Sequence, residues 1–283
     1  MKLLSLEPFN NKQTPLDFVS AGIDVDEFDQ WLPDDRTPLL TMVKNSNPEI
    51  LMVGLKHKID KEVLDLMPNL KLVATRTTGR DHIDLDYCAE RGTEVMPLYG
   101  EELTDVRAVP ELCVLKVLEL LRRDGKELYG KTLGIIGYGR IGKLLEHIAR
   151  HGFGMEVLKY DTNFVETENQ SNAGLLEVVL TSSDVVSLSI SSTEENRNFM
   201  NREKFELMKE DSYFLNSSRG WLVDNEALKW ALDNKLAGAW SDFPVFFFHP
   251  GLITTNHQGG KTLESSLKTE EILENKILSW YEL

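Results

Sequence analysis

Lys131-Thr-Leu-Gly-Ile-Ile-Gly-Tyr-Gly-Arg-Ile-Gly142, with Asp161 beyond it, decides how this chain folds. Thr132 to Ile136 reads as a short buried strand. Gly137, Gly139 and Gly142 stand at G-x-G-x-x-G spacing, with Tyr138, Arg140 and Ile141 as the intervening positions. Ile141, Leu144, Leu145 and Ile148 then recur with helical period, Gly152 is expected to end that helix, and Met155 to Tyr160 reads as the next strand. Each part has a mechanical job: Gly137 permits the tight turn, Gly139 admits a pyrophosphate close to the backbone, and Gly142 lets the helix pack on its strand. The helix N-terminus offers N–H groups and the positive end of its dipole to phosphate. Asp161 lies 19 residues after Gly142, where a carboxylate holds ribose hydroxyls and repels a 2′-phosphate. Thr162 and Asn163 supply no cation for such a phosphate. Strand, turn, helix, strand and acid in that order predict a Rossmann unit that binds NAD.

Bulk properties narrow the rest. A chain of 283 residues with 41% hydrophobic content can bury two ordinary cores. Thirty-one basic against 46 acidic residues leave a net charge of −15, which argues against nucleic acid or an anionic membrane as partner, since phosphate binding needs clustered cations. Local cations and helix ends still permit a small anionic substrate. Cys88 and Cys113 form no C-x-x-C pair, no Cys/His cluster suggests a metal, and the six His are scattered. The N-terminus does not read as a signal peptide and no apolar run approaches 18 residues, so the expectation is a cytoplasmic protein.

Along the chain, short strands and helices alternate. Leu3–Leu6, Ile50–Gly54, Leu72–Arg76 and Glu94–Met96 read as buried strands, with helices at Lys61–Met67, capped by Asp60, and Leu85–Arg91, ended by Gly92. Residues 99–109 read as a connecting loop, and Pro110 opens an apolar-periodic helix through Leu121. After the nucleotide-binding block, strands are expected at Val185–Ile190, Phe214–Ser217, Ala237–Trp240 and Leu252–Thr255, and a closing helix at Leu263–Tyr281.

Four blocks, in order, make the chain similar to the D-isomer-specific 2-hydroxyacid dehydrogenases. They are Thr75-Arg-Thr-Thr-Gly-Arg-Asp-His-Ile-Asp84, the glycine block with Asp161, Asn216-Ser-Ser-Arg-Gly-Trp-Leu-Val-Asp224, and Thr254-Thr-Asn-His-Gln-Gly-Gly-Lys-Thr262. The resemblance implies an α/β architecture in which a Rossmann NAD-binding domain (doubly wound parallel sheet), residues 102–258, is inserted into a smaller flavodoxin-like α/β substrate domain, residues 1–101 and 259–283. It also implies an active site in a cleft and a homodimer formed through the NAD-binding domain, with the helix from Pro110 at the contact. It places the substrate carboxylate at Thr77, Thr78, Gly79 and Arg80, and adds Ser218 and Asp242 to the cofactor contacts, Asp242 toward the nicotinamide carboxamide.

Hydride transfer to a 2-keto acid needs a fixed carboxylate, a polarised carbonyl and a proton source. By the same resemblance Arg219 binds substrate oxygens with its planar fork, and His257 exchanges the proton, its ordinary pKa of about 6.5 lying near working pH. The chain departs from the family in one respect. Most members carry a Glu between the positions of Asp242 and His257 that orients the imidazole; residues 243–256 contain none, and the interval is short. Glu264, one or two helical turns past His257, is a candidate substitute, although family members often carry a Glu there without that role, and Ser189 stands where a family His precedes the nicotinamide. Without that Glu, His257 should titrate lower than in relatives, and reduction should fall off at lower pH; an upper limb above about pH 8.5 would contradict this. Phe246–Phe248 are candidates for an apolar substrate pocket or for simple packing. Arg76 and Arg80 are candidates for a second anionic group, Arg80 otherwise pointing to solvent. Two functions remain open at this point: an NAD-dependent oxidoreductase acting on a small 2-hydroxy or 2-keto acid, or an NAD-binding homologue with weak or lost activity that serves as a sensor or regulator.

Overall fold

Ile50-Leu-Met-Val53 and Leu72-Val-Ala-Thr75 are buried at every position, which strands permit only where both faces of their sheet are covered. The computed structural model, which describes residues 1–28, 35–163 and 172–282, meets that condition twice, in two units with separate sheets. One unit comprises Met1–Val106 and Leu263–Leu283, the other Arg107–Thr262; the sequence reading set the divisions at 101/102 and 258/259.

The first unit runs β1 (Lys2–Ser5), α1 (Thr14–Ser20), β2 (Asp24–Glu27), α2 (Thr37–Ser46), β3 (Ile50–Val53), α3 (Lys61–Asp65), β4 (Leu72–Thr75), α4 (Leu85–Glu90) and β5 (Glu94–Met96). Its strands are all parallel in the order β2-β1-β3-β4-β5, the flavodoxin-like order. Alternate residues feed opposite faces: Leu4, Leu51 and Val73 enter one core, Leu3, Ile50 and Leu72 the other. Asp60 caps α3 by accepting from the Val63 N–H at 3.3 Å, as expected. The reading missed β2, α1 and α2. Asp24-Val-Asp-Glu27 is an edge strand with no fully buried residue, so it carries no apolar signal.

The second unit runs α5 (Ala108–Arg123), β6 (Thr132–Ile136), α6 (Arg140–Phe153), β7 (Glu156–Tyr160), α7 (Asn172–Ser182), β8 (Val185–Leu188), α8 (Arg202–Leu207), β9 (Tyr213–Asn216), α9 (Asn225–Asn234), β10 (Gly238–Ser241) and β11 (Leu252–Thr254). Its six strands, also all parallel, lie in the order β11-β10-β9-β8-β6-β7. Ile135, Tyr213 and Leu215 pack on one face, Ile136, Phe214 and Ala239 on the other. Two expectations need correcting here. The helix after the glycine turn passes through Gly152 and ends at Gly154, whose left-handed φ of 60° lets its N–H close on Ala149 and Arg150. The 99–109 segment is not all loop, because a 3₁₀ turn occupies Gly100–Leu103 and α5 starts at Ala108.

The chain leaves β6 for β7 on one side and returns to β8 on the other, which makes the β6/β8 junction the switch point of the sheet. Ligands of open parallel sheets bind beyond the carboxyl ends of strands at such a point. The closing helix, α10 (Leu263–Tyr281), returns to the first unit, where Leu273 and Ile277 are fully buried.

Candidate active site

Because all strands of the second unit are parallel, their carboxyl ends share one edge, and the cofactor and catalytic candidates of that unit gather there. Gly137 follows β6 with φ 95°, and a Cβ placed on it would lie 2.4 Å from the Ser189 carbonyl oxygen just beyond β8. Only glycine suits both the angle and the approach. A Cβ on Gly142 would lie 2.4 Å from the Gly137 carbonyl oxygen, so the helix sits directly on the turn. Gly139 differs: it begins α6 without a side-chain cap, and a Cβ there would meet nothing within 4 Å. That open space above the first N–H groups of α6 is what a pyrophosphate requires. Tyr138, Arg140 and Ile141 complete the turn. The Tyr138 hydroxyl reaches Glu146 and Lys159, while burial lowers the Arg140 guanidinium below its ordinary value. Asp161 accepts from the Tyr138 N–H at 2.7 Å and the Asn163 N–H at 2.9 Å, so its carboxylate is fixed at the mouth of the turn. These residues fit NAD.

The next strand ends carry the candidate catalytic residues. Ser218 donates its hydroxyl to the Leu188 carbonyl at 3.1 Å, tying the loop after β9 to the end of β8. Asn216 accepts from the Ser218 N–H at 3.0 Å and donates to the Arg219 carbonyl at 2.9 Å, which shapes the loop that presents Arg219. Beyond β10, Asp242 is 2% exposed. One of its oxygens accepts from the Thr255 hydroxyl at 2.6 Å and the Gln258 N–H at 2.8 Å, the other from the Gly259 N–H at 2.8 Å. The residue expected to meet the nicotinamide thus holds both flanks of His257 in a tight turn. His257 itself has a left-handed φ of 50°, and its N–H donates to the Asp242 carbonyl at 2.6 Å.

Phe243 is the residue that sequence reasoning missed. The His257 ring lies 4.7 Å from its ring centroid and the Arg219 guanidinium carbon 5.6 Å, so one aromatic ring neighbours both candidate catalytic groups. Its only signal in the sequence is an aromatic directly after Asp242. By contrast Phe246 and Phe248 are about 90% exposed, while Val245 and Phe247 are half-buried against the core; the three phenylalanines do not line one pocket. Cys113 is buried behind the site, and burial pushes its thiol up to about 12, which leaves it unreactive.

In the first unit, Thr77, Thr78, Gly79 and Arg80 form one loop beyond β4. Thr78 and Arg80 are exposed. Arg76 does not join them as a free cation. Its guanidinium is buried beside Glu270, 3.5 Å away, and donates to the Pro8 carbonyl at 3.1 Å.

The family model for the D-isomer-specific 2-hydroxyacid dehydrogenase NAD-binding domain matches residues 117–249. A glyoxylate reductase of Thermofilum pendens is 32% identical over 90% of this chain and 84% of its own length. The chain belongs to the D-isomer-specific 2-hydroxyacid dehydrogenase family. It is an NAD-dependent oxidoreductase that moves a hydride between nicotinamide and a 2-hydroxy or 2-keto acid. D-3-phosphoglycerate dehydrogenase 1 of Saccharomyces cerevisiae is 30% identical over 94% of this chain, which spans 63% of that longer relative. Among solved structures, the TT0316 protein of Thermus thermophilus superposes with a TM-score of 0.84 at 29% identity, covering 100% of this chain and 97% of that one. The NAD+-bound 3-phosphoglycerate dehydrogenase of Entamoeba histolytica shares the fold, with a TM-score of 0.87 at 24% identity over 100% of this chain and 95% of that one.

Proposed function

We propose that the chain interconverts a small 2-keto acid and its D-2-hydroxy acid, with Arg219 as substrate anchor and His257 as proton donor in reduction and acceptor in oxidation. Arg219 and His257 beside the Phe243 ring, at the strand edge that also carries the glycine turn, are the observation that supports this reading most. The turn from Gly137 to Gly142 holds the pyrophosphate, Asp161 holds the ribose and selects against a 2′-phosphate, and Ser218 borders the cofactor. Bound NADH supplies the hydride. The guanidinium of Arg219 orients the keto acid and draws electron density toward the carbonyl oxygen, and His257 delivers a proton to that oxygen as charge develops there. The loop from Thr77 to Arg80 supplies backbone N–H groups for the carboxylate.

Two broader assignments belong to the same proposal. Two copies pair through α5, a reading that the exposed Leu115 on that helix supports. The two cysteines, both free and buried, suit the reducing cytoplasm, and among the described residues no helix is long and apolar enough to cross a membrane.

The test is NADH consumption by purified protein with glyoxylate, pyruvate, hydroxypyruvate and a branched 2-keto acid, repeated with Arg219→Ala and His257→Ala. Turnover that both substitutions abolish is the expected result. No turnover above the variants' background, with NADH binding intact by fluorescence, would replace the enzyme with an NAD-responsive binding protein.

A further inference from the structure

The loop from Thr77 to Arg80 is not held by its backbone alone. Thr75, the last residue of β4 and fully buried, has its hydroxyl oxygen 2.9 Å from that of Thr77 and 3.3 Å from Nε2 of His82. The Thr77 hydroxyl donates to the Gly79 carbonyl at 2.7 Å. A carbonyl only accepts, so this end of the chain sets every direction behind it. Thr77 has spent its single proton on Gly79 and must accept from Thr75. Thr75 has then spent its own and must accept from His82, which fixes the Nε2–H tautomer. The run is therefore His82 Nε2–H to Thr75, Thr75 to Thr77, and Thr77 to Gly79.

The last link has a geometric consequence. In a trans peptide the carbonyl and the following N–H point in opposite directions, and none of the described peptide bonds is cis. With the Gly79 carbonyl drawn toward the Thr77 hydroxyl, the Arg80 N–H is turned away from it, outward from the braced side of the loop. The His82 end is anchored in turn: its carbonyl accepts from the Ile59 N–H at 2.8 Å, and the Arg80 carbonyl accepts from the Ile83 N–H at 2.9 Å. The side chain of Thr77 is thus occupied inside the loop and is not a ligand.

We infer that Thr75, Thr77 and His82 are positioning residues that preset the peptide between Gly79 and Arg80 for binding the substrate carboxylate. This rests on the reading above that the loop takes that carboxylate. Donors fixed beforehand bind an anion without first reorganising, so loosening them should weaken substrate binding more than turnover.

Glyoxylate is the probe, because beyond its reacting carbonyl it offers little except the carboxylate. Thr77→Val keeps shape and removes the hydroxyl. It should raise KM for glyoxylate by about 5- to 10-fold, with kcat and KM for NADH little changed, and Thr77→Ser should recover most of the loss. His82→Leu should act in the same direction, more weakly. Arg80→Pro, which deletes the preset N–H itself, separates the two claims. If Arg80→Pro raises KM and Thr77→Val does not, the brace is overturned while the loop keeps its role. If Arg80→Pro leaves KM unchanged in a variant with unaltered melting temperature, that peptide does not bind the carboxylate and the inference falls with that reading. A Thr77→Val variant whose kcat, KM and melting temperature all fall together, without recovery in Thr77→Ser, would show a merely structural contact and would also overturn it.

Discussion

At the residue scale, the proposed role of His257 requires an imidazole oriented without a Glu in residues 243–256. Part of the answer lies in the backbone. Asp242 clasps the turn on both sides of His257 through Thr255, Gln258 and Gly259, and the left-handed φ of 50° at His257 is held by that clasp. A non-glycine residue in that region persists only where its surroundings over-determine it. The rest is Phe243, whose ring neighbours both His257 and Arg219. Gly220 leaves room for Phe243, since a Cβ there would stand 3.2 Å from the Phe243 Cβ. Phe243→Ala should therefore loosen both groups together and lower kcat for keto-acid reduction by about 10- to 100-fold, while NADH affinity by fluorescence titration stays near that of the parent. Phe243→Tyr, which keeps the ring, should retain most activity. Equal activity in the alanine variant would remove Phe243 from the machinery.

At the element scale, two short-range charge arrangements set how firmly helices of the first unit are fixed. Asp60 caps α3 and receives both Nη atoms of Arg36, at 2.8 and 2.9 Å. The hydrogen bond from Arg36 is the chief reason its carboxyl is held below the ordinary 3.8, in opposition to burial. A carboxyl lowered on folding adds stability that is complete above its unfolded value and is lost as pH falls through its folded value. Asp60→Ala should cost about 1–2 kcal/mol at neutral pH, and the gap from the parent in urea midpoints should narrow progressively as the pH falls from the ordinary 3.8 through the lower folded value. Glu274 on α10 is the opposite case. Burial, chiefly, and the nearby Asp17 and Glu270 push its carboxyl above the ordinary 4.5, although it accepts from the Thr14 hydroxyl at 2.7 Å. A carboxyl raised on folding weakens the fold while ionised and stops doing so as pH falls. Glu274→Gln should accordingly raise the melting temperature at pH 7 by roughly 2–4 °C, with the advantage gone below pH 4.5. A lower melting temperature at both pH values would mean that the carboxylate does something an amide cannot. Asp60 was readable as a cap because capping is local. Glu270 was not readable as the partner of Arg76, Asn10 and Asn11, because nothing short of the fold brings the two ends of the chain together.

At the scale of the whole molecule, the legible parts of the sequence were those in which local and global demands coincide. Parallel strands covered on both faces are continuous apolar runs, so Leu72–Thr75 and Thr132–Ile136 announce themselves. The glycine block is legible because each glycine answers a steric demand within a few residues. The edge strand Asp24–Glu27 and the aromatic platform at Phe243 answer only to contacts made by distant chain, and so left no local signature. The two units keep separate sheets and separate apolar cores, and the groups that fit NAD all belong to Arg107–Thr262. Ligand that binds only the folded state stabilises what it binds, by about 2.7 kcal/mol at a concentration 100 times its Kd. Hydrogen exchange with and without NADH should therefore slow the amides of β6, the turn Gly137–Gly142 and the first turn of α6 most. The amides of β1 to β3, in the other sheet, should exchange at nearly their former rates. The discriminating site is Gly139, where α6 begins without a side-chain cap and a Cβ would meet nothing within 4 Å. Unchanged exchange there, with protection spread evenly over both sheets, would mean that NADH acts through global stabilisation and that the glycine turn is not where its phosphates rest.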